Sequence, residues 1–111
     1  MTLEKFVDDY NMHDSLIDSI TVEENGNTVR ILIDFAFWMQ DHYQESDPET
    51  GPLEVCFQNV SRYDHPENLP LEEISILKTF IREGSIVFAL LNDVTDEYFE
   101  IQIVADEVIV K

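Results

Sequence analysis

At 111 residues, 44% apolar and 11% aromatic, the chain can fill one core but not two, and it is no disordered acidic tail, which would lack aromatic and branched aliphatic residues. Twenty-four acids against six bases give a formal charge of −18, a field that repels nucleic-acid phosphate and anionic membranes and attracts cations and basic proteins. The same acidity keeps a β-rich protein soluble and monomeric, and composition does not choose between solubility and recognition.

Residues 2–10 are predicted to form a short helix. Leu3, Phe6, Val7 and Tyr10 recur at i, i+3, i+4 and i+7, Thr2 is available as N-cap, Glu4 lies in the first turn and Asn11 is a natural stop. So short a helix is marginal alone and must lay its apolar stripe on the rest of the fold. From Ser15 the period becomes two: Leu16, Ile20 and Val22 share one face, interrupted by Asp18, and Ile17, Ser19 and Thr21 share the other. Glu24-Asn25-Gly26-Asn27 then reads as a hairpin turn, because Asn-Gly accepts positive φ. In the return strand, Thr28–Trp38, the residues Val29, Ile31, Ile33, Phe35 and Phe37 are expected to face the core. Thr28, Arg30, Leu32, Asp34, Ala36 and Trp38 take the opposite face.

Residues 40–52 form a polar loop punctuated by Gly51 and Pro52. Leu53, Val55 and Phe57 alternate in a third strand ending near Val60, and residues 61–70 make a second polar connection. Residues 71–83 fit a helix through Ile74, Leu77 and Ile81, and a strand through Ile74, Ile76 and Phe80. The strand is preferred, because Glu83-Gly84-Ser85 reads as a hairpin turn into Ile86–Leu91, a run apolar enough for a central strand. After a turn at 92–97, Phe99, Ile101 and Ile103 alternate with Tyr98, Glu100 and Gln102. Asp106-Glu107 bends the chain and Val108–Val110 closes it. The expectation is a single domain over residues 1–111, mainly β. It is an antiparallel β-sandwich or strongly twisted sheet of about seven strands with a short N-terminal helix.

His13-Asp14 invites comparison with metal phosphohydrolases built on an adjacent His-Asp pair. Such a site needs further ligands from separate helices, and this chain offers only His42 and His65 besides. The structural reading is preferred: His13, Asp14 and Ser15 form a turn in which Asp14 or Ser15 bonds backbone N–H groups and His13 bonds a main-chain group. Each histidine has a neighbouring acid, but none shows His-x3-His spacing. The acids Asp41, Glu45, Asp47 and Glu49 could hold Ca²⁺ on a flexible loop, yet they lack the EF-hand spacing, and a solvated acidic loop is preferred. The single Cys56 forbids an internal disulfide, and its place in an apolar-alternating run suits a buried hydrophobe better than a reactive thiol. No Gly-x-Ser-x-Gly occurs, and three glycines leave nothing to cradle phosphate. Trp38 reads either as an interface anchor or as a core residue under the N-terminal helix. No stretch approaches transmembrane length and the first residues carry no signal-peptide core, so a cytoplasmic address is expected.

His13-Asp14-Ser15-x-Ile17-x-x-Ile20, the strand end Phe57-Gln58-Asn59-Val60 and the closing Ile101-Gln102-Ile103-Val104-Ala105-Asp106-Glu107-Val108 resemble a loose group of small bacterial proteins. Some of these are immunity proteins of polymorphic-toxin systems, which bind and neutralise a cognate toxin. The resemblance implies a β-sandwich and a cognate toxin as partner, and it transfers no site residue.

The sequence therefore points to a non-enzymatic acidic binding protein, a monomer or weak homodimer without a cofactor, whose partner-facing residues are Trp38, Asp41, Glu45, Asp47 and Glu49. One alternative is a Ca or Zn binding module, or a small metal-dependent enzyme, using His13, Asp14 or the 41–49 loop. Another is a structural domain that self-associates through the edge strand EVIVK, against which Lys111 is a mild guard.

Overall fold

The structure, a computed structural model, describes residues 1–67 and 72–111. Helix α1 (Leu3–Asp9) begins where Thr2 accepts a hydrogen bond from the Lys5 N–H at 3.1 Å, satisfying one free donor of the first turn. Its predicted stripe docks: Leu3 and Phe6 are buried, and Val7 and Tyr10 pack against the same core. The Phe6 ring meets Phe57 edge-on at 6.1 Å and Tyr10 meets Phe35 edge-on at 5.9 Å. Those contacts hold two helical turns that would not persist alone.

The described strands are β1 (Leu16–Glu23), β2 (Thr28–Ala36), β3 (Thr50–Gln58), β4 (Arg62–Asp64), β5 (Ile74–Arg82), β6 (Ser85–Asn92), β7 (Tyr98–Val104) and β8 (Glu107–Val110). The fold is mainly β, and all eight strands join one antiparallel sheet in the order β4-β7-β6-β5-β1-β2-β3-β8. The ambiguous segment is a strand from Ile74 onward; Leu71, with residues 68–70, lies outside the described residues. The strand beyond the expected seven is β4, inside what reads as a polar connection.

Register explains how the sheet folds over. Strand β3 pairs with β8 from Val55↔Val110 to Gln58↔Glu107, and β4 pairs with β7 from Arg62↔Val104 to Asp64↔Gln102. The two ladders are one ladder that turns a corner, with Asn59-Val60-Ser61 opposite Ala105-Asp106. Asn59 takes a positive φ of 55° at that bend. Two four-stranded halves, β8-β3-β2-β1 and β5-β6-β7-β4, are thus joined at the bent strands and again at Leu16↔Ser75. Phe57 of one half meets Phe88 of the other edge-on at 6.0 Å, so the halves share one core.

Two details depart from a simple period of two. A β-bulge between Ile17 and Ser19 inserts Asp18 into the β1 ladder, so Ile17 and Ile20 both reach the core. Leu16 and Val22, expected to share a face with Ile20, are 38% and 49% exposed. Strand β2 stops at Ala36, and Phe37–Met39 form a 3-10 turn in place of the strand end expected at Trp38. Phe37 still packs edge-on against Phe35 at 5.3 Å.

Candidate functional site

The 3-10 turn Phe37–Met39 and the loop after it carry the most developed surface. Gln40 fixes the turn to the helix exit. Its side-chain amide donates to the carbonyls of Asn11 (2.7 Å) and Ala36 (3.0 Å), and its side-chain oxygen accepts from the Asn11 N–H (3.1 Å). On the far side, Trp38 N–H donates to the Glu49 carbonyl at 3.2 Å, and the loop closes on itself between these points. Asp47 makes that closure: its carboxylate accepts from Gln44 N–H at 3.1 Å, its own N–H donates to the Gln44 carbonyl, and its carbonyl accepts from the Tyr43 hydroxyl.

Consecutive residues of the turn line different hollows. Trp38, 44% exposed, lines one of about 460 Å³ with Tyr43, Glu45 and Glu49. Phe37 lines another of about 550 Å³ with Tyr10, Phe35 and Leu53, and with Asp9, Gln40 and His42. Of the partner-facing residues expected from sequence, Trp38, Glu45 and Glu49 come together. Asp47 is spent on the loop turn, and Asp41 is exposed outside the hollow. Tyr43 is the residue that sequence reasoning missed. Its one signal is a lone aromatic in an otherwise polar loop.

His13, Asp14 and Ser15 lie where the helix exit meets the sheet. Nδ1 of His13 lies 2.8 Å from the Leu77 carbonyl, which requires the proton on that nitrogen. Asp14 takes a φ of 65° and its N–H donates to the Ile76 carbonyl at 3.0 Å. Ser15 is fully buried, and its hydroxyl accepts from the Ala36 N–H at 2.9 Å. The histidines stand in three separate places: His13 on β5, His42 at the second hollow, and His65 against Tyr63, the rings tilted by 30° with centroids 4.5 Å apart. Among the described residues no three His, Cys, Asp or Glu side chains converge as a metal site.

Cys56 is buried on the outer face of β3, opposite Arg30 of β2. The guanidinium of Arg30 lies between Glu23, at 2.7 Å, and Glu54, at 2.6 Å. The Glu54 contact is one of proximity, because Arg30 Nε has no aligned hydrogen-bond acceptor. Among the described residues no helix is long and apolar enough to cross a membrane. Comparison of the chain with family models, with curated proteins and with solved structures gives no match.

Proposed function

We propose that this chain is a non-enzymatic acidic binding protein, of the immunity type, that engages a basic protein through the Trp38 hollow. The observation that carries the reading is the pairing of an exposed indole with two carboxylates, Glu45 and Glu49, in one concavity. An indole face attracts a cation through its quadrupole, worth roughly 0.5–2 kcal/mol depending on desolvation. Carboxylates beside it accept charge-assisted hydrogen bonds from a guanidinium or ammonium group. Tyr43 adds a second ring to the cradle. Trp and Tyr are also the side chains on which binding energy concentrates at protein interfaces.

The rest of the chain favours the same class of partner. A charge of −18 steers basic proteins inward and speeds their encounter in a salt-dependent way. Two of the groups that sequence reasoning weighed for chemistry are committed elsewhere. Cys56 is buried opposite Arg30, and His13 is bonded to a main-chain carbonyl.

Trp38 is the one tryptophan of the chain, so its emission reports on the hollow without a label. The test is titration, at low and moderate salt, with the product of the adjacent gene and with unrelated basic proteins, together with co-expression rescue from that product's toxicity. The reading expects saturable binding that shifts Trp38 emission and weakens with salt. Glu45→Gln/Glu49→Gln should weaken it about tenfold or more while leaving the fold intact. Emission that stays constant across all these partners at low salt, with no rescue, would overturn it.

A further inference from the structure

The larger concavity, on the Phe37 side of the turn, has walls of Tyr10, Phe35, Phe37 and Leu53 and a rim that includes Asp9 and Gln40. We infer that this cleft is a second anchor for the same basic partner. It takes an aromatic or large aliphatic side chain that the partner carries beside its basic residue. The inference rests on the reading of the Trp38 hollow as a cation site and adds to it a second chemistry.

Three observations carry it. The cleft has the size and character of a specific site: about 550 Å³, apolar walls and a few polar groups at the edge. Its walls are set before anything enters. Phe35 is fixed edge-on between Tyr10 and Phe37, and Gln40 is held by three hydrogen bonds, so little ordering remains to oppose binding. Finally, Phe37 and Trp38 are consecutive, with Cα atoms about 3.8 Å apart, so one partner segment straddling the turn reaches both hollows. The field selects the bearer of the apolar side chain. Asp9, bonded to Lys5 at 3.0 Å, and His42 also line the cleft, and the net charge of −18 draws in a cationic segment and turns away an acidic one.

The test uses the full chain and three probes. N-acetyl-phenylalaninamide reads the cleft through backbone amide shifts, expected at Tyr10, Phe37, Gln40 and Leu53. N-acetyl-argininamide reads the other hollow through the Trp38 indole resonance. Short peptides carrying Arg and Phe one to four residues apart, with Phe→Ala controls, read the two together. At the best spacing the Phe peptide should bind about tenfold more tightly than its control, the gain expected from burying one large side chain. Leu53→Asn, on a half-buried wall, should reduce that gain to under threefold while leaving the argininamide response unchanged. A phenylalanine probe that leaves the cleft amides unmoved, or peptides that bind equally with Phe and Ala, overturns the second anchor even where the indole still responds. A silent indole beside shifted cleft amides overturns the cation site, and with it the shared partner. Which probe is silent tells the two failures apart.

Discussion

At the scale of single residues, one buried serine ties three strands together. Ser15 precedes β1, its hydroxyl satisfies the last N–H of β2, and its carbonyl accepts from Ile76 N–H of β5 at 2.7 Å. Ser15→Ala leaves the Ala36 N–H buried and unbonded, and such a group costs about 1–3 kcal/mol. Urea unfolding should show that loss as a lower midpoint with an unchanged slope. A loss below about 0.5 kcal/mol would mean that water replaces the hydroxyl. A second residue makes a pH prediction. Glu100 accepts from Arg82 at 2.9 Å and from the Tyr98 hydroxyl at 2.6 Å, and these bonds, Arg82 foremost, hold its carboxyl below the ordinary value. A depressed folded pKa stabilises the fold above the unfolded value, near 4.3, and that contribution is lost as pH falls through the folded one. The stability gap between the parent and Glu100→Gln should therefore be constant near neutrality and shrink on the acid side of pH 4. A gap that widens there would show that the carboxylate is not what the bonds hold.

At the scale of elements, the β5–β6 hairpin is set by its two loop residues. Arg82 pairs with Ser85, and between them Glu83 and Gly84 take φ of 48° and 81°. Both values are positive, the pattern whose twist suits a two-residue hairpin and that favours Asn-Gly. Nothing crowds a Cβ at position 84, so Gly84→Ala pays only for the left-handed backbone, about 1–2 kcal/mol. Glu83→Asn should gain a few tenths of a kcal/mol or more, and thermal melting of the pair checks both signs. This turn was legible because local chemistry alone decides it. The same holds for β2 and β7, where apolar and polar residues alternate, for β6, a continuous apolar run buried along nearly its whole length, and for α1, where Thr2 and the stripe agree. The bulge at Asp18 was not legible, since an inserted residue moves every later side chain to the other face without changing the local pattern. Nor was the exit of β2 at Ala36. Phe35 to Trp38 reads as continued strand, and the 3-10 turn is held by Gln40 through Asn11, a contact 29 residues away. Strand β4 exists through its pairing with β7. In the site, Trp38 stood out by its type, but Asp41 and Asp47 look no different from Glu45 and Glu49 until the loop's closure separates them.

At the scale of the whole molecule, the charge acts on stability and on association in opposite senses. Four of the six bases are already matched: Lys5 with Asp9, Arg30 with Glu23 and Glu54, Arg62 with Asp64, and Arg82 with Glu100. Exposed and half-exposed pairs of this kind contribute little, about 0–1 kcal/mol for the exposed ones, so the excess carboxylates dominate the field and repel one another. Salt shortens the reach of that repulsion from about 30 Å at 0.01 M to about 8 Å at 0.15 M. The melting temperature should therefore rise with sodium chloride over this range, while affinity for a basic partner falls. Trp38 offers a local version of the same measurement. If Glu45 and Glu49 hold a negative potential at the indole, cesium should quench its emission more strongly than iodide. The difference should shrink in high salt and in Glu45→Gln/Glu49→Gln. A melting temperature that falls with salt would mean that the ion pairs outweigh the repulsion. Equal quenching by the two ions would mean that the indole faces neutral solvent, and the hollow would then have no preference for a cation.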